Sequence, residues 1–491
     1  MNINNIKHNI NLEDFMSQIQ TIFKNMSWLM ISQLLASVCG FIWTILLTRY
    51  LGVSDYGIMN FAIAFTGISA IFMDLGISTY IVRHIATDYD SSPKYLGNAI
   101  PLKSVLSFFA FLITLIILII LKSNELTIQI TLLFTIQSIF TSMTGLLNGS
   151  LQAVEEGKYQ AIGNIVLNSL LLAFILISII YDFGLYGVTL SYVISNLIVV
   201  ILQYIVVKKR ISKPKYEFDK EFCKKLLVYS IPFALTSFCA LILSSIDMFM
   251  LTNMINSYAN GIYSSAYKLI AIFALIQSVY FTVVYPVMSR LFKSEKNLLI
   301  FSFEKSAKYL MLIVIPLSFA VMFYSKDIIV LFFGNEYVLA SSVLSILMWS
   351  VPLGFLAGIC LNLLNASHKE KSVTINLIIT ALVNVILNFF LIPKYSYNGA
   401  AITTVISDIL SLVLFMYSVY KLGVLSNKKL LFDLIKIIIG SVLLYISLSV
   451  LNLNMWLAIP VGIIIYFVII TLIKTFDVDD KNIIMEILGK K

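Results

Sequence analysis

Charged residues are scarce in this sequence. Asp, Glu, Lys and Arg make up only 12% of its 491 residues, whereas a soluble domain has about 25%. Hydrophobic residues account for 59%, and the mean hydropathy is +0.95. Apolar stretches recur along nearly the whole chain, and many reach the ~20 residues that a helix needs to cross a bilayer. The composition therefore predicts an all-α polytopic membrane protein.

Residues for metal, redox and hydrolytic chemistry are also few. The four cysteines and three histidines show no metal or redox spacing, so we expect no metal site. The sequence has no G-x-x-x-x-G-K-[ST] loop, and therefore no ATPase of its own. It has no long outward loop with clustered carboxylates, which acid–base chemistry on a glycan would need. We expect a transporter that is not an enzyme and has no cofactor.

About fourteen apolar stretches are long enough to span a membrane. They are centred near residues 38, 67, 110, 138, 171, 195, 239, 275, 315, 351, 382, 409, 440 and 464. Because cytoplasmic loops carry an excess of Lys and Arg, the basic loop 207–225 predicts the orientation. With fourteen spans, this loop and both termini lie on the cytoplasmic side of the cell membrane. The net charge of +9 then reflects topology, and no nucleic-acid partner is implied.

The sequence also repeats itself. The stretch YGVTLSYVISNLIVVIL matches NGAAITTVISDILSLVL, which aligns Gly187 with Gly399 and Asn196 with Asp408. Each copy contains about six spans, and an even number gives both copies the same orientation, as in a parallel repeat. The predicted parts are an amphipathic cytoplasmic segment (1–25), an N-lobe of six helices (26–207), a basic cytoplasmic linker (208–225), a C-lobe of six helices (226–422), and two additional helices with a cytoplasmic tail (423–491).

Charged residues inside a span are costly and mark a path, a relay or an ion pair. Asp74 and Lys103 lie near the cytoplasmic ends of consecutive spans. Lys103 can snorkel to the interface or reach Asp74 across the hairpin, as a structural ion pair or as a gate. Arg49 ends the first span and precedes a turn in LGVSDYG. It is either an interfacial anchor or part of a substrate path.

Asp247 and Lys268 flank the short turn in NMINSYANG at about equal distances, so we expect a helical hairpin to pair them. The pair either pins the hairpin or lines a cavity and exchanges with an anionic ligand or a coupling cation. Tyr263 and Tyr267 belong to a tyrosine cluster that is either part of the interfacial aromatic belt or a lining whose side chains suit a sugar. Asp408 lies mid-span where its repeat mate is a neutral Asn, which suggests a role in one half only. The candidates for ion coupling or gating are Asp74, Lys103, Asp247 and Asp408.

Two stretches resemble a known family. LLTRYLGVSDYGIMNFAIAF, followed by MDLGISTYIVRHIA, resembles the amino-terminal signature of the polysaccharide and O-antigen flippases, which belong to the multidrug/oligosaccharidyl-lipid/polysaccharide exporter superfamily. The R-x-L-G turn falls on 49–52, Y-G on 56–57 and L-G on 75–76. SSIDMFMLTNMINSYANGIYSSAYKL is similar to the family's I-D…G-x-Y-x-x-A-x-x-L stretch, with Asp247 and Tyr263 at matching positions.

The resemblance implies two lobes around a cavity, alternating access, and a polyprenyl- or dolichyl-linked oligosaccharide carried from the cytoplasmic to the outer leaflet. Arg49 and Lys268 match the cavity cations that meet the diphosphate, with Asp247 as their partner. Guanidinium recognises phosphate bidentately. The lipid II flippase branch looks richer in arginines within its first span, whereas this chain has only Arg49 there. That difference disfavours a peptidoglycan precursor as cargo.

Other partners implied are membrane lipids and a glycan polymerase or glycosyltransferases. Proton or sodium movement, or the membrane potential, would drive transport. Two alternatives stay open. The first is a cation-coupled multidrug exporter of the same superfamily, against which Arg49 and Lys268 argue mildly. The second is a membrane glycan polymerase or transferase, against which the short outward loops argue more strongly.

Overall fold

The structure is a computed structural model that describes residues 12–86, 88–211, 214–215, 219–294, 296–367, 369–424, 428–477 and 480. These residues form helices and short turns with no strand, so the all-α prediction is confirmed. The helices are α1 (Leu12–Asp74), α2 (Ile77–Ile85), α3 (Ser92–Ile120), α4 (Glu125–Ala153), α5 (Gly157–Ile180), α6 (Gly184–Arg210), α7 (Lys220–Met254), α8 (Ser257–Ser294), α9 (Lys296–Phe323), α10 (Ser325–Phe333), α11 (Ala340–Leu347), α12 (Ser350–Ala366), α13 (Glu370–Lys421), α14 (Lys428–Leu451) and α15 (Met455–Leu472).

The protein is a multi-pass membrane protein. In the described part of the chain, 11 helical segments are long and apolar enough to cross a membrane. A shorter apolar segment, Leu241–Met254, forms the end of α7. The 52 residues of α13 would extend about 78 Å, more than twice the ~30 Å hydrocarbon core. This helix therefore holds more than one crossing, and the count of fourteen spans stays a prediction.

Two of the long helices contain a single residue at which the backbone leaves the helical conformation. In α1 it is Gly52 (φ 70°, ψ 176°), and in α13 it is Ser396 (φ 52°, ψ −134°). Glycine adopts a positive φ without steric cost, so the R-x-L-G motif supplies the residue that the break requires. The prediction that the whole stretch 52–57 forms the turn is wrong, because Asp55 and Gly57 are already helical.

The chain divides into two compact units, residues 1–245 and 246–491, and α7 begins in the first and ends in the second. In unit 1, buried apolar side chains of α2, α3, α4, α6 and the start of α7 form one cluster. Helix α2 contributes Ile77, Ile81 and Ile85, which are at most 1% exposed. Their four-residue spacing places them on one face of the helix. The predicted lobe and linker boundaries stay predictions.

In unit 2, the main apolar cluster joins α8, α9, α12, α13 and α14. The last two helices, which have no counterpart in the repeat, pack onto this unit through α14 against α9 and α15 against α14. A smaller apolar cluster holds α14 and α15 together beside the end of α9, and it consists of Tyr324, Leu444, Leu448 and Ala458. Large apolar side chains on the outer faces of α14 and α15 remain exposed, as a bilayer requires.

The repeat aligns two glycines that meet the same steric demand. A Cβ on Gly187, at the start of α6, would lie 2.2 Å from the Cβ of Phe183. A Cβ on Gly399, at the start of the second segment of α13, would lie 2.3 Å from the carbonyl oxygen of Leu391. At both places the chain enters a helix directly after a turn and passes too close to the preceding segment for any side chain.

Candidate functional site

A buried polar network surrounds Asp247 in unit 2. The side chain is 4% exposed and lies in α7. Its Oδ2 accepts hydrogen bonds from the hydroxyl of Tyr263 in α8 at 2.6 Å and from Thr404 in α13 at 3.0 Å. Its Oδ1 accepts from the amide of Asn388, in the other segment of α13, at 2.5 Å. One carboxylate therefore ties α7 to α8 and to both segments of α13.

The network continues along the asparagine stripe of α13. The Asn388 amide also donates to Asn384 Oδ1 at 3.1 Å, and the Asn384 amide donates to Ser407 at 3.2 Å. The remaining oxygen of Asn388 is buried and accepts no hydrogen bond from the described residues. Since buried polar groups are normally satisfied, this oxygen and the Asp247 carboxylate leave acceptor capacity at the centre of the network.

The predicted pairing of Asp247 with Lys268 is wrong. The turn between α7 and α8 consists of only Ile255 and Asn256, so Asp247 lies eight residues before it and Lys268 twelve residues after it. The difference of four residues is about 6 Å along a helix. Tyr263, seven residues after the turn, lies at the depth of Asp247 and takes the place expected for the lysine. Among the described residues, Lys268 forms no ion pair with Asp247.

Tyr263 and Tyr267 are brought together, as their spacing of one helical turn requires. Their rings stack with centroids 5.8 Å apart and 22° between the planes. Tyr263 is 1% exposed, so its hydroxyl is committed to Asp247. Tyr267 and Lys268, one turn further along α8, are half-buried.

Asp408 lies in the second segment of α13, one turn after Thr404, and is half-buried. It lies near Ser350 at the start of α12 and near Asp247. Two acidic groups that the sequence analysis named separately, Asp247 and Asp408, thus lie in the same part of unit 2. No group of three His, Cys, Asp or Glu suited to a metal ion occurs in the described chain.

The predicted ion pair between Asp74 and Lys103 is confirmed in unit 1. Lys103 is 0% exposed, so the prediction that it snorkels to the interface is wrong. Its ammonium donates to Asp74, to Ser78 Oγ at 2.9 Å and to the carbonyl oxygen of Ser142 at 2.8 Å. This places all three ammonium hydrogens within unit 1. Whether the pair also acts as a gate stays a prediction.

Arg49 lies at the end of the first segment of α1, three residues before the break at Gly52, and its side chain is exposed. Its neighbour Tyr50 anchors this end of the helix. The Tyr50 hydroxyl donates to Asp182 at 2.8 Å and accepts from the backbone N–H of Gly184 at 2.8 Å, in the turn between α5 and α6. The hydrogen bonds of Tyr50 therefore hold the backbone at Arg49 in place.

Sequence reasoning missed a buried charge cluster in unit 2. Lys308 Nζ lies 2.5 Å from Asp480 and 3.1 Å from Asp433 of α14. Lys305 pairs with Asp477 at 2.9 Å and with Asp480. Burial opposes ionisation of Asp480, but the hydrogen bonds from these two lysines outweigh it and hold the pKa of its carboxyl below the usual range. Lys305 and Lys308 lie three positions apart inside a predicted span, so they share one face of the helix. This spacing was the sequence signal for the cluster.

The fold is that of a known class of membrane transporters. The structure of the lipid II flippase MurJ, in an inward closed conformation, is similar with a TM-score of 0.74 and 20% identity, over 90% of this chain and 98% of that chain. An inward-facing multidrug resistance MATE family transporter of the MOP superfamily is similar with a TM-score of 0.63 and 15% identity, over 80% of this chain and 96% of that chain.

Sequence comparison gives the family. The model of a family described as "Polysaccharide biosynthesis protein" matches residues 22–292, more than half of the chain. The capsular polysaccharide biosynthesis protein CapF of Staphylococcus aureus is 26% identical, over 80% of this chain and 98% of that protein. The probable low-salt glycan biosynthesis flippase Agl15 of Haloferax volcanii is 26% identical, over 74% of this chain and 76% of that protein. This chain belongs to the polysaccharide biosynthesis protein family.

Proposed function

We propose that the protein is a flippase that moves a lipid-linked oligosaccharide from the cytoplasmic to the outer leaflet of the cell membrane by alternating access. The cargo is a polyprenyl or dolichyl diphosphate sugar used to assemble a surface polysaccharide or glycan. Both termini are cytoplasmic, and a glycan polymerase or glycosyltransferases supply or consume the cargo. Membership of the polysaccharide biosynthesis family and a likeness to transporters support this function. The protein itself makes and breaks no covalent bond.

The observation that carries the proposal is the buried network around Asp247. A carboxylate inside a membrane helix is costly unless it serves a path or a relay. Here it has no cationic partner among the described residues, and its hydrogen bonds come from neutral side chains of Tyr263, Asn388 and Thr404. A static structural role would be filled at lower cost by apolar packing. A site that takes up and releases a cation accounts for the lone charge.

The coupling cation is a proton or Na⁺. The hydroxyl oxygen of Thr404 lies 3.0 Å from the Asp247 carboxylate, and hard cations bind to oxygen ligands of this kind. The orphaned carbonyl oxygen of Asn388 supplies a further ligand. Cation uptake neutralises the carboxylate and changes its hydrogen bonds with α8 and α13. Those helices then shift relative to α7, which is the element shared by both units. Asp408 is a second acidic group near the site, and its ionised form favours cation entry.

Arg49 and Lys268 meet the diphosphate of the cargo in this scheme. Arg49 is exposed at the end of a span and provides bidentate recognition of phosphate. Lys268, which the structure does not pair with Asp247, remains available for an anion. Tyr267 lies beside it and offers a ring face to the sugar. Asp74 and Lys103 act in unit 1, where their ion pair holds the break between α1 and α2.

A depletion experiment tests the function. Cells depleted of the protein are converted to oriented vesicles, and an impermeant sugar-oxidising probe reports which leaflet holds the lipid-linked oligosaccharide. The expected result is accumulation on the cytoplasmic leaflet that the wild-type gene relieves and Arg49→Ala or Lys268→Ala copies do not. Normal leaflet distribution with raised sensitivity to cationic drugs would instead support the multidrug exporter. Shortened glycan chains on outer-leaflet lipid would support a polymerase.

A reconstitution experiment tests the coupling. Purified protein in liposomes is given imposed proton or Na⁺ gradients, and lipid-linked oligosaccharide movement is followed by an outer-leaflet probe. Asp247→Asn keeps the shape and removes the charge, so we expect residual movement that no longer responds to either gradient. Asp90→Asn, the same change at an exposed acid, should behave as wild type. A gradient response that survives in Asp247→Asn would refute the role of this carboxylate.

A further inference from the structure

Unit 1 contains a cavity of about 420 Å³, within the ~300–1,000 Å³ of ordinary small-ligand pockets. The second segment of α1, the start of α2 and the middle of α4 form its wall. Most of its side chains end in a hydroxyl, an amide or a carboxylate, namely Thr66, Asp74, Ser78, Gln137, Ser138, Thr141 and Ser142. Carbon atoms make up most of the lining surface, but the buried hydroxyl of Ser142 has no hydrogen-bond partner among the described residues, and an unsatisfied polar group is costly inside a membrane-spanning unit.

Only one of the two oxygens of the Asp74 carboxylate accepts hydrogen bonds from the described residues. Lys103 and the hydroxyl and backbone N–H of Ser78 all donate to Oδ1. Oδ2 accepts no hydrogen bond from the described residues, although the side chain is 27% exposed and lines the cavity. An ionised carboxylate is an acceptor only. The cavity therefore offers an open acceptor to a ligand that carries hydroxyl groups.

The cavity offers no cation to a ligand. The described residues of the lining include neither Lys nor Arg, and the nearby Lys103 is 0% exposed with its ammonium hydrogens directed at Asp74, Ser78 and Ser142. An anionic group such as a diphosphate or a uronic acid would be desolvated here without a partner, which is strongly unfavourable. A bound cation is not needed either, because Lys103 already balances the charge of Asp74.

We infer that this cavity binds neutral sugar units of the lipid-linked oligosaccharide, with Asp74 Oδ2 accepting a hydrogen bond from a sugar hydroxyl. Gln137 and Ser138 contribute the neutral donors and acceptors that a polyhydroxyl ligand uses. The inference rests on the proposed function and adds to it a separate subsite for the sugar. The diphosphate is held elsewhere, at Arg49 and Lys268.

Two variants close or alter the cavity with little risk to the fold. Gly145 lines the cavity, and a Cβ placed on it meets no atom within 4 Å. Gly145→Leu therefore projects into open space, and leucine has a higher helix propensity than glycine. Gln137→Met keeps the length of the side chain and removes its amide. Ser104→Leu, an exposed position on α3, is the matched control for an added leucine.

The test measures the Kd of the full-length protein in nanodiscs for three probes. These are undecaprenyl diphosphate, the same lipid bearing N-acetylglucosamine, and the same lipid bearing glucuronic acid. We expect the neutral sugar to improve wild-type affinity about tenfold over the bare lipid, equivalent to ~1.4 kcal/mol. The glucuronic acid lipid should not gain. Gly145→Leu and Gln137→Met should lose the gain but bind the bare lipid as wild type does, and Ser104→Leu should retain it.

Three outcomes overturn the inference. The sugar adds nothing to wild-type affinity, or the gain survives Gly145→Leu, or glucuronic acid binds as well as N-acetylglucosamine in a Gly145-dependent way. In each case the protein still binds the lipid diphosphate, so the proposed flippase function stands. Failure of the wild-type protein to bind any of the three lipids overturns the proposed function, and the sugar subsite with it.

Discussion

Removing either partner of the ion pair between Asp74 and Lys103 should destabilise the protein, but by different amounts. Lys103 is 0% exposed, whereas the Asp74 side chain is 27% exposed. Removing the carboxylate with Asp74→Asn leaves a wholly buried ammonium without an anion. Removing the ammonium with Lys103→Met leaves a carboxylate that still reaches solvent and still accepts from Ser78. The first change should therefore destabilise the protein more than the second.

The magnitudes follow from the two environments. Breaking a buried pair so that one charge is left uncompensated costs about 3–5 kcal/mol, which is the expectation for Asp74→Asn. Lys103→Met removes hydrogen bonds to a charged partner and leaves the Ser142 carbonyl without its donor, a loss of about 1.5–3 kcal/mol. The double variant removes both charges, so it should be more stable than Asp74→Asn alone.

The free energy of unfolding is measured for the full-length protein in mixed micelles by titration with SDS. All four members of the cycle are compared, so the coupling between the two sites is read directly. If Asp74→Asn proves no more damaging than Lys103→Met, or if the double variant loses the sum of the two single losses, the buried pair is not what stabilises this hairpin. Recovered expression in the double variant is a second readout when Asp74→Asn does not accumulate.

Two further predictions concern unit 2. Gly399→Ala should destabilise the protein by about 1–3 kcal/mol, because the backbone must move to relieve the contact with a carbonyl oxygen. Gly354→Ala, where a Cβ meets no atom within 4 Å, should be close to neutral in the same thermal unfolding assay. Asp480→Asn should cost about 1–3 kcal/mol at neutral pH. The folded-state pKa of Asp480 is lowered, so its contribution is present above the ordinary Asp pKa and disappears as the pH falls through the lowered value. An unfolding difference that persists or grows in acid would contradict this.

Much of the fold was predictable from the sequence because membrane helices leave a strong signal. Long apolar runs indicated the helices, and the R-x-L-G motif indicated the break that Gly52 makes in α1. The pairing of Asp74 with Lys103 was predictable because both residues lie at the same end of consecutive spans. A hairpin brings such positions together whatever its detailed register.

The site in unit 2 was predicted less well, and register is the reason. Asp247 and Lys268 were expected to pair because the turn between them was placed too late in the chain. An error of two residues in the turn shifts the facing position by about one helical turn, which substitutes Tyr263 for Lys268. Lys305 and Asp480 are 175 positions apart in the chain, and no local pattern indicates such a contact.

The sequence repeat places different side chains at equivalent positions of the two proposed sites. In unit 1, Asn196 accepts a hydrogen bond from Thr141, a residue of the cavity wall, at 3.0 Å. Its repeat mate Asp408 has an ionisable carboxyl group and lies near Asp247 instead. The proposed sugar subsite needs neutral groups and a balanced ion pair, whereas the proposed cation site needs an unbalanced carboxylate. A single change from amide to acid at an equivalent position therefore separates the two kinds of site without altering the helices that present them.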